Sequence, residues 1–486
     1  MGMDRRRFLQ VSAGALGAAA VGPTLLGGER ADALSGLAAQ RTVLDALPGD
    51  SGIDHVVVLM MENRSYDSYL GWLSRDRGYR ARGKSRYGWR FFTRGRQHQA
   101  YPDANGVLHH TRHFTINAAG IDPYRGCGHP DPGHGWNAGR AQRDRGFVAA
   151  GSGNDDFALS YYRASDLPVY RELAYRFTIC DRWHASLLGP TYPNREYLLS
   201  GQSGGNKTNY LPVAEGGFQW DSIYDRLGRA GVSVADYAAD LPPALLFGPR
   251  VLPYVRSIDA YYEDCATGNL PQVSYVDPAF NGGNRSDDHP HGDIRAGQRF
   301  VRDAFAAFAR SPHWERGLFV LVYDEWGGFF DHLAPPHLAD DRASTTDAED
   351  FSQAGFRVPA ILASPRVRPG FASHRLYDHT SVLRFLEWRF LGAPAHGPGT
   401  AGDTWFFTER DRRAENLGRT LLLDVSDPEI GFDLDVAVDP PSASCDAAAS
   451  GLAGEQRSAP VLEPDSVHPF ATPEALEYFA DVGFTL

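Results

Sequence analysis

The stretch Ile53–Gly71, IDHVVVLMMENRSYDSYLG, constrains the fold of this chain more than any other. Val56–Met60 is a short, unbroken apolar run rich in β-branched residues, which is how a strand buried on both faces of a sheet reads. A carboxylate and an amide, Glu62 and Asn63, follow it directly. Ligands of open α/β sheets sit beyond the carboxyl ends of strands, so oxygen-bearing side chains at this place suit a hard cation. Alone, the pair also suits a surface turn with a capping Asn. What decides between the two is whether distant segments bring partners to the same spot.

From Asp166 onward, helical and strand patterns alternate. Asp166 can cap a helix over Pro168–Tyr175, before a strand at Phe177–Cys180. A helix from Asp221 to Ala230 precedes a strand at Val232–Tyr237, and a helix near Ser257–Ala266 precedes Gln272–Val276. A longer amphipathic helix, Gly292–Ala309, leads into the strand Leu318–Tyr323. Val358–Ala363 and Thr380–Phe390 add one more strand and helix. This order predicts an α/β fold: a doubly wound, mostly parallel sheet with helices on both faces. Residues 75–126 read as irregular strands and loops over one end of the sheet, and Ala339–Gly355 as a mobile surface loop. Past Leu391 the alternation fades, so residues 53–390 form the main domain and 391–486 a small C-terminal extension packed on or near it.

At the other end, Asp4-Arg5-Arg6-Arg7-Phe8-Leu9-Gln10 resembles a twin-arginine export motif. Val11–Leu26 is a mild Ala/Gly/Leu stretch, and Ala31-Asp32-Ala33 offers a small-x-small cleavage site. Residues 1–33 are thus expected to be a signal peptide and 34–52 a linker, with the product periplasmic or secreted. After export Cys127, Cys180, Cys265 and Cys445 meet an oxidising compartment, and three pairings are open. No CxxC spacing is present, which argues against a cysteine-held zinc. The chain is 42% hydrophobic and 22% charged over 486 residues, enough for a full core. Its net charge of −12 argues against nucleic acid and gives no help toward anionic membranes.

Three further stretches carry chemistry. Leu188-Gly189-Pro190-Thr191-Tyr192-Pro193-Asn194-Arg195 opens a helical run, Asn194–Ser200, and places the Thr191 hydroxyl at a helix N-terminus, where anions are favoured. Asp287-Asp288-His289-Pro290-His291 clusters acids and imidazoles on a loop before a helix. Leu318–His332, LFVLVYDEWGGFFDH, repeats the logic of the first stretch: a buried strand ends in Asp324-Glu325. Two adjacent carboxylates there repel unless a cation holds them, and four oxygen ligands from two strand ends suit a divalent metal.

These motifs resemble the bacterial phosphoesterase family of phospholipases C and a related acid phosphatase. The resemblance rests on HVVVLMMENRSYDSYLG, the DPGHGW turn, LGPTYPNR, DDHPHGDIRAGQ, VYDEWGGFFDHLAPP, GFRVPAILASPRVRPG and YDHTSVLRFLEWRF, in one order from about 53 to 390. It implies an alkaline-phosphatase-like fold and a metal-dependent phosphoric ester hydrolase. It also implies that Glu62, Asn63, Asp324, Glu325 and Thr191 hold one divalent ion (calcium, magnesium, manganese or zinc), with Thr191 as nucleophile. His134 and His289 match histidines that contact the phosphate. Glu325 stands where the acid phosphatase has Asp, which favours the phospholipases. His291, His332 and His379 are less clearly placed, and His184 and Arg64 read as structural or supporting.

The expected reaction is phospholipid hydrolysis through a phospho-threonine on Thr191, with His289 or His134 returning a proton to the leaving alcohol. Tyr66, Tyr69, Trp72, Trp136, Tyr192, Trp326, Phe329 and Phe330 flank the motifs and suggest an aromatic box for choline, hence phosphatidylcholine. A monomer making peripheral membrane contact is expected. The alternatives are an acid phosphatase acting on monoesters and a catalytically silent metal- or lipid-binding protein. A sulfatase is disfavoured, because no Cys-x-Pro-x-Arg segment is present.

Overall fold

A mostly parallel eight-stranded sheet carries the fold in the computed structural model, which describes residues 40–114, 124–282, 285–399, 404–429, 435–441 and 468–484. The export motif, its cleavage site and Cys445 lie outside the described residues. In chain order the strands are β1 (His55–Met61), β2 (Thr178–Cys180), β3 (Val234–Ala238), β4 (Val255–Ser257), β5 (Val273–Asp277), β6 (Gly317–Tyr323), β7 (Ala360–Ala363) and β8 (Phe371–Ser373). Their spatial order is β8-β2-β7-β6-β1-β5-β3-β4. Only β7 runs against the rest, antiparallel to both β6 and β2. The two strands with continuous apolar runs, β1 and β6, are central neighbours, as burial on both faces requires.

Helices cover both faces. Val57 of β1 pairs with Phe319 of β6, and Phe319 meets Phe305 of the helix Ile294–Ala309 with ring centroids 5.4 Å apart. That helix buries Ile294, Val301, Ala304, Phe305 and Phe308 at helical spacing, and Asp293 caps it by accepting from Arg295 N at 2.9 Å. On the other face, Val58 and Met60 line a small cavity with Leu198 and Leu199 of the helix Thr191–Ser200. All described residues belong to one compact unit, Gln40–Leu486. Within it the C-terminal helix Pro473–Asp481 buries Ala475, Tyr478 and Phe479.

Several local expectations need correction. Residues 75–126 include a helix, Arg77–Tyr87, which has no apolar period because Tyr79 and Gly83 alone are buried. It is specified instead by its ends: Asp76 accepts from Tyr79 N at 2.8 Å, and Gly88 leaves it at φ 91°. Asp166 does not cap Pro168–Arg176; its carboxylate accepts from Arg163 N and His113 Nε2, both at 2.7 Å. The stretch Ala339–Gly355 is strapped down, since Arg410 donates to Ala339 O and Phe351 O at 2.7 Å. Cys127 is disulfide-bonded, and Cys180 and Cys265 are free, buried thiols.

Candidate active site

Parallel register builds the centre of the site. Met61 pairs with Tyr323, so Glu62 and Asp324 leave the sheet side by side, and Asp324 N donates to Met61 O at 3.0 Å. Asn63 then turns through φ 60°, a left-handed conformation that Asn tolerates better than most residues. Its N–H donates to Asp324 Oδ1 at 3.2 Å, and Arg64 N donates to Glu325 O at 3.1 Å, tying the two strand ends together. Gly327 (φ +61°) lets the chain pass this crossing, because a Cβ there would lie 2.3 Å from Asn63 O.

The third element is the helix Thr191–Ser200, with Pro190 as its N-cap residue. Thr191 is its first residue, and Oγ1 donates to Glu62 Oε1 at 3.1 Å. Arg195, one turn on, donates from Nε to Asp324 Oδ2 at 3.2 Å and from Nη1 to Asp277 Oδ1 at 3.0 Å, and its Nη2 lies 3.7 Å from Glu62 Oε2.

Glu62, Asn63, Thr191, Asp324 and Glu325 are all fully buried. Glu62 Oε2, Asn63 Oδ1 and Glu325 Oε1 nonetheless have no hydrogen-bond partner. Burial, then the Asp324 charge, hold Glu62 and Glu325 well above the usual carboxylate range. Burial also lifts Asp324 to about 6 against the pull of Arg195. One guanidinium does not balance these acids. A hard divalent cation would offset the excess charge and offer orphan oxygens a partner, so the donor types fit a metal.

Beside this cluster stand three histidines and two aspartates. His134 Nδ1 donates to Pro132 O at 2.8 Å, leaving Nε2 to accept from Asn63 Nδ2 at 3.4 Å. His289 Nδ1 donates to Pro290 O; its Nε2 has no partner and lies 3.6 Å from Asp131 Oδ2. Burial lowers His134 to about 4 and His289 well below its ordinary value. Both oxygens of the buried Asp131 lack partners, and burial raises this acid well above its ordinary range. His468 comes from the C-terminal segment. It donates from Nε2 to Asp287 Oδ2, accepts from Phe470 N at 3.2 Å, and lies 3.8 Å from Glu62 Oε2. Asp131, His134 and His289 form one group of possible metal ligands, and Glu62, Asp287 and His468 another.

The remaining named residues fall elsewhere. His379 donates to Asp324 O at 2.6 Å, supporting the strand end from behind. His184 donates to Gly355 O at 2.9 Å and His291 to His129 O at 2.9 Å. His332 joins a separate buried network with Asp67, Asp331 and Arg357. Arg64 is buried with its guanidinium 4.6 Å from the Phe329 ring centroid. All eight rings expected to form a choline box are buried in the protein. Trp136 already carries Arg140 at 3.5 Å, and Trp326 Nε1 donates to Gln142 at 2.7 Å.

Sequence reasoning missed the roles of Arg195, Asp131 and His468. Arg195 was findable: it lies four residues after Thr191 and so shares its helix face. Asp131 sits inside the DPGHGW turn with nothing to separate it from a loop acid. His468 lies in a tail without periodicity.

The fold is a doubly wound α/β sheet whose two central strands end in a buried acid cluster of the kind that holds a hard cation. The chain belongs to the Phosphoesterase family, whose model matches residues 53–391. It is 30% identical over 375 residues to the non-specific phospholipase C6 of Arabidopsis thaliana, spanning 70% of this chain and 68% of that protein. It is 28% identical over 468 residues to the non-hemolytic phospholipase C of Burkholderia pseudomallei, spanning 80% and 61%. For the non-hemolytic phospholipase C of Pseudomonas aeruginosa the identity is 31% over 447 residues, spanning 80% and 60%. A solved structure from Vibrio parahaemolyticus, described as a protein in the alkaline phosphatase superfamily, aligns with a TM-score of 0.31 at 11% identity over 46% of this chain and 60% of that one. The overlap of the two chains is loose. By its family and its relatives, the protein is a phosphoric ester hydrolase. No helix among the described residues is long and apolar enough to cross a membrane.

Proposed function

We propose that the protein is an exported, metal-dependent phospholipase C that cleaves phospholipids to diacylglycerol and a phosphorylated head group through a covalent intermediate on Thr191. The observation that carries this reading is the hydrogen bond from Thr191 Oγ1 to Glu62 Oε1 at 3.1 Å, at the head of a helix. Glu62, Asn63, Asp324, Glu325 and Thr191 would hold a divalent ion; when bound, it supplies Lewis-acid charge to the alcohol and to a phosphoryl oxygen.

The chain's own residues do the rest. The Oγ1 proton faces Glu62, a carboxylate whose proton affinity is raised by burial. Oγ1 attacks phosphorus in line, the Oγ–P bond forms, and the bond to the glycerol oxygen breaks. At the helix start the Thr191 N–H is the donor for the developing charge, since Tyr192 N already donates to Asn209 Oδ1 at 2.8 Å and Pro193 has no N–H. Burial keeps His134 and His289 neutral, so the proton for the departing alcohol starts on Asp131, which burial holds protonated, and passes through His289 Nε2, 3.6 Å away. Water then cleaves the Oγ–P bond and releases the head-group phosphate.

Phosphatidylcholine is the first substrate to assay, although the eight buried rings supply no open cage for its head group. Parallel assays of phosphatidylcholine, phosphatidylethanolamine, an aryl phosphodiester and an aryl phosphomonoester test the reading. Faster turnover of the monoester than of any diester would make the protein a phosphatase. Export is supported by the Arg5-Arg6-Arg7 motif and by the disulfide at Cys127, which needs an oxidising compartment. Replacing Arg5 and Arg6 with lysine should leave the protein in the cytoplasm.

A further inference from the structure

Residues 75–96 differ chemically from the rest of the chain. They hold nine of its 48 Lys and Arg but one of its 60 Asp and Glu, in a protein of net charge −12. The whole-chain charge conceals this patch. The helix Arg77–Tyr87 faces the protein through Tyr79 and Gly83, so its remaining surface is free for charge. Arg77, Arg80, Arg82, Lys84, Arg86 and Arg90 are all exposed. Among the described residues none of the six forms a salt bridge, whereas cations elsewhere on the surface commonly do. Just past the helix end, Trp89 is 72% and Phe92 46% exposed.

The patch runs along the β8 edge of the sheet. Tyr87 OH donates to Pro369 O at 2.6 Å, ahead of β8. Phe92 stacks on His374, just beyond β8, with centroids 4.2 Å apart, and Arg94 N donates to Asp181, just beyond β2, at 2.7 Å. Arg96 N then donates to Asp67 at 2.8 Å. The Phe92–Arg96 end therefore lies on the side of the sheet where Glu62 leaves β1.

We propose that residues 77–92 dock the protein on an anionic phospholipid bilayer. The helix cations meet lipid phosphates, and Trp89 enters the head-group layer. Each cation near such a surface adds to the attraction, and Trp is the ring that settles at the boundary between water and hydrocarbon. A nucleic acid would meet the cations but leave Trp89 and Phe92 in water unless bases splayed onto them, so the lipid surface accounts for more of the patch. The inference rests on the phospholipid reading above, to which it adds the surface that brings enzyme and substrate together.

Sedimentation of the full protein with vesicles tests it, using phosphatidylcholine alone and a phosphatidylcholine/phosphatidylserine mixture at low and high salt. The mixed vesicles should bind on the order of 100-fold or more tightly than the neutral ones, with binding that weakens as salt rises. The variant Arg80→Gln/Arg82→Gln/Lys84→Gln should lose on the order of 100-fold in partition to the mixed vesicles. Trp89→Ala should lose several-fold. Both should keep the wild-type melting temperature and turnover of a soluble aryl phosphodiester. Equal binding to both vesicles, wild-type binding by the triple variant, or preference for duplex DNA over mixed vesicles would overturn the proposal. Binding as expected without turnover of any ester would support docking and sink the hydrolase reading instead. Turnover of the soluble ester without vesicle binding would do the reverse.

Discussion

Thr191 Oγ1 donates a hydrogen bond to Glu62 Oε1 at 3.1 Å, although 129 positions separate the two residues in the chain. The contact joins a helix N-terminus on one face of the sheet to the end of its central strand. It puts a hydroxyl against a carboxylate whose other oxygen has no hydrogen-bond partner.

The orphan oxygens predict a metal. Chelation should abolish turnover, and one equivalent of a divalent ion should restore it. At 100 times its dissociation constant the ion should add about 2.7 kcal/mol of stability, visible as a rise in melting temperature. Glu325→Gln should weaken that response, and a melting temperature indifferent to every divalent ion would leave the cluster unexplained.

His468 should behave as a positioning residue for Asp287 and Glu62. His468→Ala is expected to cost on the order of 10-fold or more in kcat, with little change in KM. His468→Asn, which keeps a donor, should recover part of the loss. A purely structural role would instead lower the melting temperature and leave kcat per folded molecule unchanged.

Gly327→Ala tests the crossing of the two strand ends. The positive φ and the 2.3 Å approach to Asn63 O should cost about 2–4 kcal/mol and weaken metal binding with it. Gly282→Ala, at a positive φ in open space, is the control and should leave metal binding intact.

His184 gives a pH dependence remote from the acid cluster. Burial lowers it to about 3, and its neutral Nδ1–H donates to Gly355 O. Its contribution is complete above its unfolded value of about 6.5 and is lost as pH falls toward about 3, because the unfolded chain takes up the proton first. In that window stability should fall by up to about 1.4 kcal/mol per pH unit on its account. His184→Gln should remove close to one proton from the slope of unfolding free energy against pH, whatever it does at pH 7. An unchanged slope would contradict the assignment.

What sequence made legible follows from physics that acts locally. β1 and β6 were readable because strands buried on both faces must be apolar throughout, and the place of Glu62 and Asp324 because each directly follows such a run. Thr191 followed from its place at a helix start. Arg77–Tyr87 was not readable, since two buried residues leave no period and its caps lie outside it. His468 was invisible because its role depends on where the C-terminal segment docks. The rings fared worst: Trp136 and Trp326 flank the motifs, but their spacing cannot distinguish a ligand wall from a packed core.

The most direct test of the account is mass spectrometry of acid-quenched turnover with phosphatidylcholine. The account predicts a peptide carrying the phosphorylated head group on Thr191, absent in Thr191→Ala, whose turnover should fall on the order of 10³-fold or more. Label on another residue, or near-native turnover by Thr191→Ala, would contradict it.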